Sequence, residues 1–348
     1  MQWIGWAPSG SDVTARTKKP ADLILSGGGV KGIGLVGGTV ALMDAGYHFQ
    51  RVSGTSAGSI VGALFAAASL HEDMTGEQVK EIALALNYRK FLDPGRIESV
   101  PVVGPASAVL RGSGIYRGDY AHGWVRSELK NLGVTTFGDL AIEDDDLPPE
   151  RRYKLVVTAT DLTTNQLVRL PWDYRRVYGL DPDEQHVADA VRASMSIPFF
   201  FQPVTLASST GQTSMLVDGG LLSNFPIDSF DRTDAKRPRW PSFGITVLPK
   251  VPNLNDKIIA ALALLRLGAP AMLISVITTT LFGHDLTYLN QPWVSCRAIR
   301  VDSAGVGIVD FDISDGEIQA SYAKGYTAAQ DFLSSWDWHA YLDQWRPG

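Results

Sequence analysis

Gly54-Thr55-Ser56-Ala57-Gly58 sets a serine in the pattern G-x-S-x-G, between a strand-like run (Phe49–Ser53) and an apolar helix-like run (Ser59–Ser69). A nucleophile elbow needs that context: a sharp strand-to-helix turn strains the central residue, and glycines on either side let neighbouring backbone pass. The serine hydroxyl is then exposed at the mouth of a sheet, beside helix N–H groups that favour negative charge. A tight packing turn fits the same five residues. A second glycine turn, Gly27-Gly28-Gly29-Val30-Lys31-Gly32, follows the apolar run Leu23-Ile24-Leu25 and matches G-x-G-x-x-G. As a dinucleotide site it would need an acidic residue at the end of the next strand, roughly 20 residues on. That strand ends at Ser53 with no acid, and Asp44 falls in the preceding helix end. The competing reading is an oxyanion hole, in which the N–H groups of Gly28 and Gly29 meet the oxygen that turns negative in acyl transfer, worth about 3 kcal/mol each. Two glycine turns on adjacent strands favour that reading. Lys31 either adds positive charge there or sits in solvent.

A serine nucleophile needs a base. The six histidines are His48, His71, His122, His186, His284 and His339, and none lies in a glycine-framed or strand-end turn. Asp218 is better placed: it follows Met215-Leu216-Val217 and precedes Gly219-Gly220, at a strand end where open α/β sheets bind ligands. A carboxylate is a weak base at its ordinary pKa of about 3.9. Burial beside the serine would raise that value, and direct contact would align the proton transfer. Alone, Asp218 also reads as the start of a tight Asp-Gly turn.

Taken together, the glycine turn, the serine turn and Asp218-Gly219-Gly220 resemble the patatin-like phospholipase family in order and spacing. Arg192-Ala193-Ser194-Met195-Ser196-Ile197-Pro198, with Phe199 and Pro203 after it, is similar to the family's segment ahead of its Asp-Gly motif. The resemblance runs from about Leu23 to Asp228. It implies a Ser-Asp dyad without histidine, metal or cofactor. By that likeness Ser56 is the nucleophile and Asp218 its base. Gly28, Gly29 and Lys31 lie in the oxyanion segment, and the Ala57 N–H completes the hole. Gly27, Gly32, Gly54, Gly58, Gly219 and Gly220 are the motif glycines. The implied activity is hydrolysis of acyl esters of phospholipids, lysophospholipids or neutral lipids through an acyl-enzyme. A non-lipid esterase or thioesterase, and a catalytically silent lipid-binding regulator, are the alternatives. The expected partner is a membrane or micellar lipid surface met peripherally by a cytoplasmic protein, with a homo-oligomer left open.

Positioning two strand-end turns beside a third demands a sheet. Strands alternate with helices from the start of the chain, which predicts an α/β fold: a mostly parallel central sheet with helices on both faces, in a patatin-like three-layer architecture. Helices are expected over Gly34–Ala45, Thr75–Leu86, Tyr120–Leu132, Val187–Ser194 and Asp315–Ser335, the last with Ile318, Tyr322, Tyr326 and Phe332 on its buried face. Strands are expected at Tyr153–Thr160, Gln166–Leu170 and Phe243–Leu248. Gly37 and Gly38 weaken the first helix and make sense if it lies close to its neighbours. Phe199, Phe200, Phe201 and Val204 are core candidates. Residues 1–20 read as a leader. Residues 21–348 read as a single catalytic domain with a core over 21–248, an apolar helical segment over 256–284 and a C-terminal strand and helix over 294–335.

Bulk composition excludes more than it identifies. At 348 residues, 45% hydrophobic and 20% charged, the chain is ordinary globular protein. A net charge of −6 gives no reason to expect nucleic acid. The single cysteine, Cys296, rules out an intrachain disulfide. Ile258–Phe282 is the most apolar stretch, interrupted by Arg266, Gly268 and Pro270. Core helices, an apolar lid or membrane-docking surface, and a membrane span are its three readings.

Overall fold

A computed structural model describes residues 18–71, 73–93, 114–234, 236–248, 280–281, 288–303, 305–307 and 310–346. Its centre is an eight-stranded sheet. The strands are β1 (Lys19–Leu25), β2 (Tyr47–Thr55), β3 (Leu155–Asp161), β4 (Gln166–Leu170), β5 (Val204–Ala207), β6 (Thr213–Asp218), β7 (Ser242–Leu248) and β8 (Ala298–Asp302). The order is β5-β6-β3-β2-β1-β7-β8, with β4 on β3. From β3 through β8 every neighbouring pair is parallel, whereas β4, β5 and β6 join antiparallel. The result is a mostly parallel mixed sheet with helices packed around it.

The parallel strands are buried, so they read as near-continuous apolar runs rather than alternating ones. Leu23, Ile24 and Leu25 of β1 and Leu155, Val156 and Val157 of β3 are inaccessible. Helix α1 (Ile33–Asp44) carries the chain from β1 to β2, and α2 (Ala57–Ala68) leaves β2. Helix α3 (Gly76–Leu84) opens on a Thr75 capping box that satisfies its first free N–H groups. Helix α4 (Asp119–Asn131) precedes β3, and α5 (Val187–Ser194) leads to β5 and β6. Helix α6 (Asp315–Ser335) begins at a Ser314–Glu317 capping box, and α7 (Trp338–Trp345) follows it.

The glycines of α1 have a packing cause. A Cβ on Gly37 would lie 2.9 Å from the Tyr322 carbonyl carbon of α6, and one on Gly38 would lie 3.1 Å from Ile245 of β7. The helix therefore gives up propensity to bring two backbones into contact. Along β7 the side chains alternate in the usual strand manner. Phe243 meets Phe332 and Trp336 of the α6 end, and Gly244 makes room for Phe225 and Ile227 on the opposite side. Ile318, Tyr322, Tyr326 and Phe332 all pack against the core.

Three expectations change. The first strand starts at Lys19, inside the segment assigned to the leader, because Pro20 is harmless near the start of a strand and β1 pairs with β2 from Lys19 onward. Of the two readings left open for Lys31, exposure to solvent is the one that falls, since the residue is buried. Phe199 is not a core residue: it is half-exposed at φ +66°, while Phe201 is buried and Phe200 and Val204 pack against the core. Residues 1–17 and all of 258–282 except Thr280 and Leu281 lie outside the described residues. Among the described residues no helix is long and apolar enough to cross a membrane.

Candidate active site

Ser56 is the residue between β2 and α2. It has φ +52° and ψ −123°, a conformation that L-residues seldom adopt and that costs about 1–3 kcal/mol. The glycines around it explain how the turn closes. A Cβ on Gly58 would stand 2.5 Å from the Ser26 carbonyl oxygen and 2.7 Å from the Leu25 carbonyl carbon, and one on Gly54 would stand 2.6 Å from the Gly58 carbonyl carbon. The first turn of α2 thus lies directly on the end of β1. Ser59 steadies it, with its hydroxyl and its N–H both donating to the Ser56 carbonyl, at 2.6 and 2.9 Å.

The Ser56 hydroxyl donates to Asp218 Oδ2 at 2.6 Å. Asp218 ends β6, which pairs with β3 so that Asp218 faces Ala159. Its other oxygen, Oδ1, accepts from the Gly220 N–H at 2.8 Å. Gly219 permits this turn, since a Cβ there would lie 2.5 Å from the Thr158 carbonyl oxygen. Asp218 is 1% exposed. Burial pushes its pKa up to about 7, against the opposing pull of the hydrogen bonds from Ser56 and Gly220. A carboxyl group tuned to that range accepts a proton near neutral pH far better than an ordinary aspartate.

The glycine turn comes down beside this pair. Gly27 packs so closely that its Cβ would lie 3.1 Å from the Ser56 Cβ, and one on Gly32 would lie 2.8 Å from the Ala57 Cβ. Gly29 takes φ +58°, the left-handed region that glycine enters without strain. Among the described residues no backbone carbonyl accepts from the N–H groups of Gly28, Gly29 or Ala57. Gly29, Gly32, Ser56 and Ala57 share one cleft, whereas Gly28 packs its Cα against Val247 of β7. Three of the histidines are engaged elsewhere: His48 with Gln50, His71 with the Leu132 carbonyl, His122 with Asp189. His284 lies outside the described residues.

From Ser56 a narrow apolar pocket of ≈ 40 Å³ runs inward, walled by Ile60, Val61 and Leu64 of α2 and closed by Phe91, Phe201 and Phe311. Size alone would point elsewhere. Two polar cavities of ≈ 300 and ≈ 680 Å³ meet around Arg151, Trp172, Ser229 and Asp231. Arg51 lines the smaller of the two and is five residues before Ser56 on β2, hence about 16 Å away along the strand. Most of the charges there are spent on one another, as in Asp22–Arg51, Arg176–Asp173 and Arg297–Asp231. Among the described residues no cluster of His, Cys, Asp and Glu is arranged to hold a metal ion.

The sequence missed several parts of this site. Ser194 Oγ accepts from the Ser56 N–H at 2.8 Å. Asn224 lies between Gly27 and Gly220: its carbonyl accepts from the Gly27 N–H at 3.1 Å, and its side-chain oxygen would be 2.9 Å from a Cβ on Gly220. Ser194 falls in the family-like segment Arg192–Pro198 but had no role assigned there, and nothing in the local pattern marks Asn224. The pocket wall did carry a signal, because Ile60 and Leu64 are four and eight residues beyond Ser56 and so fall on one helix face.

The sequence that builds this site matches a known family. The model for patatin-like phospholipases matches residues 23–231, and the chain belongs to that family. A relative is YqhO of Bacillus subtilis (strain 168), an uncharacterized protein, 38% identical over 230 residues that make up 66% of this chain and 72% of YqhO. Another is the lysophospholipase NTE1 of Yarrowia lipolytica, 30% identical over 213 residues, or 59% of this chain but only 11% of that much longer protein. The chain likewise spans under half, 46%, of an NTE family protein of Mycobacterium tuberculosis. Among solved structures, VipD from Legionella pneumophila aligns over 91% of this chain and 67% of its own, with a TM-score of 0.49 and 18% identity.

Proposed function

We propose that the chain is a carboxylic ester hydrolase that cleaves fatty acyl esters of phospholipids or lysophospholipids through Ser56 and Asp218. The observation that carries this reading is the 2.6 Å hydrogen bond from Ser56 to a buried carboxylate, at the head of an apolar pocket. Family membership and the lysophospholipase among the relatives supply the substrate class.

In this mechanism Ser56 Oγ attacks the ester carbonyl carbon while Asp218 Oδ2 takes its proton. The carbonyl oxygen becomes negative and is held by N–H groups of the Gly28–Gly29 turn and of Ala57 at the α2 N-terminus. The tetrahedral species collapses, the C–O bond to the glycerol side breaks, and Asp218 returns its proton to the leaving alcohol. Water then attacks the acyl-Ser56 ester, again losing a proton to Asp218, and the fatty acid leaves as Ser56 is regenerated. Lys31, buried close behind the turn, adds positive charge on the oxyanion side. The acyl chain occupies the apolar pocket, and the headgroup stays at a membrane or micelle surface that the protein meets peripherally.

The decisive experiment is mass spectrometry of the products from a mixed phospholipid, lysophospholipid and neutral-lipid preparation, wild type against Ser56→Ala. Free fatty acid should appear with the wild type alone. Equal release by Ser56→Ala would refute the nucleophile, and cleavage of short esters without lipid cleavage would indicate a non-lipid esterase.

The pocket also predicts chain-length dependence. Leu64 is eight residues beyond Ser56, so the wall along α2 extends about 12 Å. At ≈ 40 Å³ the pocket as it stands admits only the first carbons of an acyl chain, so a long chain must push aside the Phe91, Phe201 and Phe311 side chains and run along that wall. Leu64→Phe should therefore cut kcat/KM for palmitoyl esters about tenfold or more, with a much smaller loss for butyryl esters. Equal losses for both would place the acyl chain elsewhere.

A further inference from the structure

We propose that the C-terminal turn of α5 is the positioning device of the dyad, with Ser194 holding Ser56 and Ser196 holding Asp218, each by the backbone N–H. The inference rests on the reading of Ser56 and Asp218 as the reacting pair, and goes beyond it by assigning work to residues that touch neither substrate nor proton. Ser194 Oγ accepts from the Ser56 N–H at 2.8 Å, and the Ser196 carbonyl accepts from the Asp218 N–H at 2.9 Å. One short segment therefore grips two residues that are 162 positions apart in the chain.

The grip is itself anchored. Arg192 donates to Ser196 Oγ at 2.5 Å, to the Gln202 carbonyl at 2.9 Å and to the Arg117 carbonyl. Ser196 Oγ in turn donates to the Arg192 carbonyl at 2.8 Å. Ser194 and Ser196 are inaccessible and Arg192 is almost so, so water cannot replace these bonds. The planar guanidinium, with several donors in fixed directions, suits a hub of three carbonyl and hydroxyl acceptors better than a lysine would.

The chemistry explains why such a device is needed. Ser56 sits at φ +52°, from which the turn would relax if its N–H were not held. In a triad the histidine can rotate to follow the serine. Here Asp218 is short and already committed to the Gly220 N–H through Oδ1, so the 2.6 Å contact depends on the two backbones keeping their separation. Fixing both from one rigid turn does that.

Ser194→Ala tests the assignment. Loss of the acceptor should lower kcat about 10²-fold, the scale of an ångström-sized misplacement, with KM within about twofold. The Ser56 hydrogen bond favours the ionised form of Asp218, so a slackened contact should also move the acid limb of the kcat–pH profile to higher pH. A variant that only lost folded protein would keep the midpoint and KM. Ser194→Cys, of similar size but with a weakly accepting sulfur, should fall between the two and serves if the alanine variant does not fold. Wild-type kcat, or a lowered kcat at an unmoved midpoint, in a folded variant would overturn the proposal. If Ser56→Ala is inert and Ser194→Ala is fully active, the dyad stands and the positioning role fails. If Ser56→Ala keeps its activity, the dyad reading itself is wrong.

Discussion

Asp218→Asn should reduce turnover about 10³- to 10⁴-fold and at the same time raise stability at neutral pH. The loss follows from the proton. Asparagine has nearly the same shape and can still accept from the Gly220 N–H, but its amide NH₂ would donate to Ser56 Oγ rather than accept from it. The serine then keeps its hydrogen and remains a weak nucleophile. The gain follows from burial. An ordinary aspartate has a pKa near 3.8, and folding raises Asp218 to about 7 because its charged form loses water. Between those values the native state binds a proton that the unfolded chain does not, so stability declines as pH rises through that window. Above pH 7 the decline levels off, at on the order of 4 kcal/mol as an upper limit for a shift of this size. Asparagine has no charge to bury. Melting curves should therefore show a gap between Asp218→Asn and wild type that opens from about pH 4, widens towards pH 7 and then stays constant. A gap of constant size across that range would mean that Asp218 titrates normally. The same shift requires wild-type kcat to rise with pH through about 7, as the carboxylate form becomes available.

How far this site can be read from the chain depends on whether each part is local. The serine turn is local: glycines at fixed offsets, a strand before and a helix after. So is the Asp218-Gly219-Gly220 turn. Both lie where the strand ends place them, and their 2.6 Å contact joins two segments that the sequence could only set side by side. The longer helices were legible for the same reason, and α6 runs from Asp315 to Ser335 as its apolar spacing leads one to expect, whereas α7 went unread. Long-range pairings were not legible. Ser194 lay in a segment that the family likeness marked, but its role, like that of Asn224, depends on what the fold brings to it. The start of β1 was hidden differently. Asp22 is a buried charge in a strand, matched by Arg51 of β2 through two hydrogen bonds at 3.0 and 2.5 Å. A charge in a core strand reads as a loop residue until its partner is known, since unpaired burial would be prohibitive. Lys31 was open in the same way, since a lysine beside glycines fits either solvent or the oxyanion side, and here it is covered.

Gly58→Ala should be severely disruptive, and Gly123→Ala gentle, although both glycines are in helices. By propensity alone each change should help, since alanine is favoured over glycine in a helix by up to about 1 kcal/mol. Gly123, exposed in α4, has nothing within 4 Å of the point where a methyl would stand, so the propensity gain stands alone. At Gly58 the methyl would be driven to 2.5 Å from the Ser26 oxygen, and the neighbour is backbone just beyond the buried end of β1, with no flexible side chain to yield. Relief requires α2 to move away from β1. That movement would open the turn holding Ser56 at φ +52° and carry the Ala57 N–H away from the glycine turn, which packs at Gly32 against Ala57. Strain of that kind costs about 3 kcal/mol, a large share of the stability of an ordinary domain. Urea unfolding should accordingly show a lowered midpoint and little hydrolysis for Gly58→Ala, and an equal or higher midpoint with full hydrolysis for Gly123→Ala. Gly54→Ala should resemble Gly58→Ala, because its methyl would strike the Gly58 carbonyl carbon from the other side. If Gly58→Ala unfolds at the wild-type midpoint, the strand end and the helix start are farther apart than the geometry here requires, and the elbow loses its physical basis.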